Sequence, residues 1–87
     1  MNTSATHFLL YSRSYCHLCD DMLAALQRYQ DEFSFTVDII DVDADERLVA
    51  RYDELVPVLI GIRKGIEREL CHYFLDRDEV IQFLRAG

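Results

Sequence analysis

Lysine is almost absent from this chain of 87 residues, in which Lys64 is the one example. Lysine and arginine together number 9 against 16 aspartates and glutamates, so the net charge is −7. Phosphate binding needs clustered lysine and arginine side chains. The basic residues Arg63, Lys64 and Arg68 cluster only weakly, in one turn region. We therefore expect no nucleic acid partner, and we attribute the acidity to solubility.

The chain also lacks a long hydrophobic run. Its longest apolar stretches fall far short of the roughly 20 residues that span a bilayer. Residues 1–6 carry neither the charged side chains nor the apolar segment of a secretory signal. We therefore expect no membrane contact and a cytoplasmic location. In that reducing compartment, the three cysteines are expected to be reactive, metal-binding or buried rather than structural crosslinks.

Internal repeats, low-complexity tracts and linker-like segments are missing too. Apolar residues make up 51% of the chain, which is typical of a globular protein. A chain of this length can form a core without disulfides or metals. We therefore predict one domain that covers residues 1–87.

The hydrophobic pattern predicts the element order β-α-β-α-β-β-α. Apolar runs and period-two alternation indicate strands, and apolar residues at helical spacing indicate helices. Asp43 and Asp76 each precede a glutamate by three residues, which predicts two capped helix starts. Strands are predicted at residues 7–11, 33–39, 58–62 and 66–71, and helices at residues 16–31, after 43 and after 76.

This order predicts an α/β fold with a four-stranded mixed sheet flanked by three helices. We expect right-handed crossovers to join the first three strands as parallel pairs, and the final hairpin to add one antiparallel edge. Ligands of such sheets bind beyond the carboxyl ends of the strands. Cys16 lies just past the end of the first strand, so the expected functional site is there.

The most informative stretch of the chain is Cys16-His17-Leu18-Cys19, which opens the first predicted helix. Residues three apart on a helix have Cβ atoms about 5–6 Å from each other, which a disulfide can bridge after modest adjustment. The partial positive charge at a helix N-terminus stabilises a thiolate on the first cysteine. This spacing after a strand is typical of a redox-active dithiol.

The element order, the cysteine pair after the first strand and the proline before the third strand resemble the thioredoxin fold. Residues 9–19 are similar to the segment that leads into the active site of glutaredoxins, which carry a tyrosine-serine-basic run and then Cys-Pro-Tyr-Cys. Leu55-Val56-Pro57 resembles their Thr-Val-Pro segment. The likeness covers essentially the whole chain and is greatest to short bacterial glutaredoxin-like proteins.

The resemblance implies a thiol–disulfide oxidoreductase that transfers electrons through a Cys16–Cys19 disulfide and needs no other cofactor. Cys16 would attack the substrate and Cys19 would resolve the mixed disulfide. Arg13 would meet the glycine carboxylate of glutathione, and Val56 would offer backbone hydrogen bonds to a bound thiol. Pro57 would follow a cis peptide bond and face the sulfurs.

Two further residues are candidates for contact with the substrate. His17 could add positive charge beside Cys16, and Tyr15 could form part of the wall of the substrate groove. We expect the substrate to be a protein disulfide or a small thiol, and the protein to be a monomer. Cys71 is predicted to be a small buried hydrophobic residue.

The chain departs from the glutaredoxin pattern in ways that bear on glutathione. His17 and Leu18 stand between the cysteines in place of proline and tyrosine. Glutaredoxins carry a glycine pair after the last strand, where residues 70–76 of this chain have none. Only Asp76 is available to replace the acidic contact there. We therefore expect poor use of glutathione.

Two other classes of function stay open. Cys16 and Cys19 have zinc-like spacing, although a structural zinc site needs four ligands. A cluster of iron and sulfur shared between two chains is a variant of this hypothesis. Alternatively, the protein is a non-catalytic binding module in which the cysteines are incidental. The further metal ligands available are Cys71, His72, His17 and His7.

Overall fold

The computed structural model describes residues 6–85, which form one mixed sheet with helices on both faces. The predicted domain of residues 1–87 extends beyond this range at both ends and stays a prediction. Short 3-10 helices cover Arg28–Asp31 and Val42–Ala44. The strands and α-helices are β1 (Thr6–Ser12), α1 (His17–Gln27), β2 (Thr36–Asp41), α2 (Glu46–Tyr52), β3 (Val58–Arg63), β4 (Ile66–His72) and α3 (Arg77–Arg85).

The four strands lie in the order β2-β1-β3-β4, which confirms the predicted mixed sheet. β1 is parallel to β2, but β3 is antiparallel to β1, so the prediction of parallel pairs among the first three strands is wrong for β1 and β3. The reason lies in the length of α2. Its seven residues span about 10 Å, whereas a strand of six residues spans about 20 Å. The connection therefore stays at the edge where β2 ends, and β3 starts from that same edge.

Local hydrogen bonds explain where the helices start. Asp45, not the predicted Asp43, caps α2 and accepts a hydrogen bond from the Arg47 amide at 2.8 Å. Asp43 lies inside the 3-10 turn before α2, and its own amide donates to the Asp41 carboxylate. The prediction for α3 is confirmed, because the Glu79 amide donates to Asp76 Oδ1 at 3.2 Å.

The sheet separates two layers of apolar side chains. Phe8 and Leu10 of β1 point toward α1 and α3, whereas Leu9 and Tyr11 point toward α2. This alternation explains why the first strand is apolar on both faces. The buried members of the larger layer are Phe8, Leu10, Met22, Leu26, Phe35, Leu59, Leu70, Val80, Phe83 and Leu84, and those of the smaller layer are Val42, Tyr52, Val58 and Ile60.

No helix in residues 6–85 has the length and apolar character needed to cross a membrane.

Glycine has a packing role at one point of the sheet. A Cβ atom at Gly61 in β3 would lie 2.6 Å from the ring of Phe83 in α3. The missing side chain therefore allows the Phe83 ring to pack directly on the sheet, where it also meets Phe8 with ring centroids 5.7 Å apart.

We predict that Gly61→Ala lowers the free energy of unfolding by about 1–3 kcal/mol, because overpacking displaces the Phe83 ring and α3 with it. Urea denaturation measures the change. Gly65→Asn is the matched control, since an added Cβ atom there meets nothing within 4 Å and asparagine tolerates the local φ of +79°. Equal losses in the two variants would contradict this account of Gly61.

Candidate active site

The segments that the sequence analysis identified as functional candidates lie together at one end of the strands. The register places Tyr11 beside Val58, and Val58 beside His72, in one row across β1, β3 and β4. β1 and β4 end at this row and β3 begins there, so their loops leave the sheet on the same side. We call this side the site edge, and it comprises residues 13–16, 42–44, 53–57 and 73–76.

Cys16 and Cys19 form a disulfide at the site edge, with Cα atoms 5.2 Å apart. Cys16 is the N-cap of α1, and its Sγ accepts a hydrogen bond from the Cys19 amide at 3.1 Å. Cys19 lies one turn into the helix and is only 4% exposed, whereas Cys16 is partly exposed. The two cysteines therefore differ in access, and Cys16 is the one that offers surface to a substrate.

The start of α1 favours a thiolate on Cys16. The free amides of a first helical turn carry partial positive charge, and the Cys19 amide already points at the Cys16 sulfur. Asp20 in the first turn opposes this effect at Cys16. His17 is exposed beside the cysteine, so its position is compatible with the predicted tuning role, which stays a prediction.

The segment before β3, which contains Val56 and Pro57, is also part of the site edge. The Val56–Pro57 peptide bond is cis, which is the isomer that the resemblance implies, and the Pro57 side chain is fully buried. The Val56 amide donates to the Tyr52 carbonyl at 3.2 Å. A thiol substrate could take a hydrogen bond from this amide only by replacing the bond to Tyr52. The predicted substrate contact of Val56 stays a prediction.

Arg13 lies at the site edge inside two ion pairs that sequence reasoning missed. Its Nη2 is 2.7 Å from Asp43 Oδ1 and 2.8 Å from Asp53 Oδ1. Nη1 also donates to the Asp53 carbonyl at 3.4 Å. The hydrogen bonds to Asp43 and then Asp53 raise the pKa of Arg13 above its ordinary value. No local pattern relates residues 30 or more positions apart, so only the fold could disclose these contacts.

Apolar side chains are exposed along the same edge. Tyr15 is fully exposed, with φ of 58°, and Leu18 is 36% exposed. The Tyr73 amide donates to the Pro57 carbonyl at 2.9 Å, and its hydroxyl donates to the Glu54 carbonyl at 2.7 Å. These bonds hold residues 73–76 against the Pro57 segment. The neighbouring Phe74 is 68% exposed, so this edge offers apolar surface on both sides of the site.

The candidate metal ligands do not converge in the part of the chain that the structure describes. Residues 6–85 contain no group of three or more histidine, cysteine or acidic side chains arranged to hold a metal. His7 lies near the start of β1, far from the site edge, and contacts Thr36 and Asp38. Cys71 is partly buried against the larger core layer, as a small hydrophobic residue would be.

This sheet order, with a cysteine pair at the start of α1 and Pro57 before β3, defines a protein of the thioredoxin-fold superfamily. The chain belongs to the family described as the glutaredoxin-like domain (DUF836), which matches residues 7–85. No curated protein matches the chain.

Solved structures agree with this assignment. Protein Ne2328 from Nitrosomonas europaea is 36% identical, with a TM-score of 0.83 over 97% of this chain and 96% of that one. Protein XcR50 from X. campestris is 30% identical, with a TM-score of 0.63 over 92% of this chain and 97% of that one. A mutant thioredoxin from Halobacterium salinarum, 19% identical, shares the fold with a TM-score of 0.72 over 95% of this chain and 74% of that one.

We predict that iodoacetamide alkylates Cys16 of the reduced protein at least about tenfold faster than Cys19 or Cys71. Cys19 is buried, and burial raises the pKa of the Cys71 thiol, so at neutral pH Cys71 holds less of the reactive thiolate. Quenched reaction times and peptide mass spectrometry give the three rates. Because its pKa is raised, the Cys71 thiol should gain reactivity at higher pH than an ordinary thiol does.

The same measurement in urea is the control, because unfolding removes the difference in access and the three rates should converge. Equal rates for Cys16 and Cys19 in the folded, reduced protein would contradict the asymmetry.

Proposed function

We propose that this protein is a thiol–disulfide oxidoreductase in which Cys16 attacks and Cys19 resolves. The observation that carries the proposal is the position of the disulfide. Its accessible sulfur caps α1 at the site edge, and its second sulfur is buried one turn further into the helix. Membership of the glutaredoxin-like domain family supports the same assignment.

The proposed reaction begins with the reduced protein. The Cys16 thiolate attacks one sulfur of a substrate disulfide, and the other half of the substrate leaves as a thiolate that takes a proton from water. The Cys19 thiol then gives up its proton and its sulfur attacks Cys16 Sγ, the Cys16–Cys19 bond forms, and the second half of the substrate leaves as a thiolate that takes up a proton. Two electrons pass from the protein dithiol to the substrate, and an external thiol reductant returns them.

The substrate that we propose is a disulfide in a protein segment. Tyr15 and Phe74 expose apolar surface at the site edge and Leu18 does so in the first turn of α1, which suits an apolar stretch of polypeptide beside the disulfide. We place the activity in the cytoplasm, where thiol systems keep dithiols reduced, with the protein acting as a monomer. The reaction requires no metal or nucleotide, because the sulfurs carry the electrons.

We predict that Cys16→Ser abolishes the reduction of protein disulfides, whereas Cys19→Ser accumulates a mixed disulfide between Cys16 and the substrate. The first variant lacks the attacking sulfur, and the second lacks the sulfur that resolves the intermediate. Non-reducing electrophoresis and intact mass show the trapped species. Cys71→Ser is the control, because Cys71 lies in β4 outside the cysteine pair and should leave turnover intact.

Full turnover of protein disulfides by Cys19→Ser would refute the dithiol mechanism. Two measurements distinguish the other hypotheses. A Cys16–Cys19 couple that fails to oxidise and reduce reversibly would favour a binding module. A stoichiometric metal content in protein purified with its thiols reduced would favour a metal site.

We also predict low turnover of glutathione mixed disulfides compared with an ordinary glutaredoxin. Residues 70–76 lack a glycine pair whose exposed amides could hold one end of glutathione, and His72, Tyr73 and Phe74 add bulk there. The internal hydrogen bond of the Val56 amide supports the same expectation. A glutathione-coupled assay beside a reference glutaredoxin tests it, and comparable turnover would show that another contact, for example at Asp76, replaces the missing one.

A further inference from the structure

Building on the proposed function, we propose that Asp43 and Asp53 set the charge preference of the site by holding Arg13 between two carboxylates. The site then disfavours disulfides that carry anionic groups and favours disulfides flanked by cationic groups. A basic segment of a protein is therefore the class of substrate that the charges at the site edge fit.

The first step of the argument is the geometry of the two ion pairs. One guanidinium nitrogen of Arg13 lies within 2.8 Å of an oxygen of each carboxylate, and Arg13 Nε also donates to Asp43 at 3.3 Å. The N–H groups of Arg13 thus donate to Asp43 and Asp53 of the same protein. Four of the five N–H groups of Arg13 therefore point at Asp43 or Asp53, and its positive charge is already paired with theirs before a substrate carboxylate approaches. The three side chains together carry a net charge of −1.

The second step is the position of this charge in the loop that leads to the reacting sulfur. Arg13 and Cys16 are three residues apart, so their Cα atoms lie within about 10 Å of each other, and the side chains add their own length to the distance between charge and sulfur. Charges at that separation interact across water, and the screening length is about 8 Å at physiological ionic strength and about 30 Å at 0.01 M. A charged group beside a substrate disulfide therefore senses the charge around Arg13 when Cys16 attacks.

The third step concerns the other charges in the described chain. Asp20 in the first turn of α1 adds negative charge near Cys16. The basic cluster of Arg63, Lys64 and Arg68 lies at the β3–β4 hairpin, at the far end of β3, about 20 Å from the site edge. At physiological ionic strength, where the screening length is about 8 Å, these basic side chains are screened from the site edge and do not offset the carboxylates. The field at the site edge therefore favours cationic partners.

The experiment uses small symmetrical disulfides that differ in charge, which separates charge from peptide recognition. Cystamine carries two ammonium groups, bis-hydroxyethyl disulfide is neutral, and dithiodipropionate carries two carboxylates. Stopped-flow measurement gives the rate constant of the reduced protein with each at low ionic strength. Division by the rate of dithiothreitol with the same disulfide corrects for the leaving thiol. The readout is the ratio of the normalised rates for the anionic and the cationic disulfide.

Asp43→Asn and Asp53→Asn each remove one negative charge and keep a hydrogen-bonding side chain beside Arg13. We expect each to raise the anionic-to-cationic ratio by about twofold to fivefold at low ionic strength. Arg13→Gln makes the local charge more negative and should lower the ratio by a similar factor. The opposite signs distinguish a charge effect from a general loosening of the loops, and added salt should shrink both shifts.

Asp31→Asn is the matched control, because Asp31 is exposed at the end of the 3-10 helix that follows α1, about 20 Å from Cys16. It removes the same charge at a greater distance, so it should change the ratio much less than the Asp43 and Asp53 variants do. The proposal is overturned if the Asp43 and Asp53 variants match this control, or if Arg13→Gln raises the ratio. Failure of the proposed function itself has a different signature, because the wild-type protein would then react with the neutral disulfide no faster than dithiothreitol.

Discussion

The antiparallel pairing of β3 with β1 is the constraint on which the site depends. β1 runs toward the site edge and β3 runs away from it, with Tyr11 opposite Val58. The end of β1 and the start of β3 therefore share one edge, and the loops that carry Cys16 and Pro57 leave the sheet together. Core layers on both faces bury this pair of strands, so the packed interior determines the relative positions of the two loops.

The site edge combines a reactive centre with a surrounding charge. The disulfide depends on local features of α1, namely the cap position of Cys16 and the burial of Cys19 one turn later. The charge depends on contacts between separate elements, since Arg13 follows β1, Asp43 lies in the 3-10 turn after β2, and Asp53 follows α2. The same ion pairs that join three loops thus carry the charge that we propose as the basis of substrate preference.

Several features could be predicted because neighbouring residues determine them. The cap at Asp76 follows from the spacing of a capping box. The burial of β1 on both faces follows from its run of consecutive apolar residues. The prediction that Asp43 caps α2 is wrong because Asp41, Asp43 and Asp45 lie within five residues and each has a side chain that can cap a helix. The 3-10 turn at Val42–Ala44 decided between them, since it leaves Asp45 in the extended backbone that an N-cap needs.

The sequence by itself determined the element order, the mixed sheet and the pairing of Cys16 with Cys19, because these rest on hydrophobic periodicity, on the short hairpin between the last two strands and on spacing within one helical turn. Only the tertiary structure decided the direction of β3 relative to β1 and the partners of Arg13. Strand direction depends on where a short connection can travel, and the ion pairs join residues 30 and 40 positions apart. Such contacts form only when the packed sheet brings the loops together, so no local pattern records them.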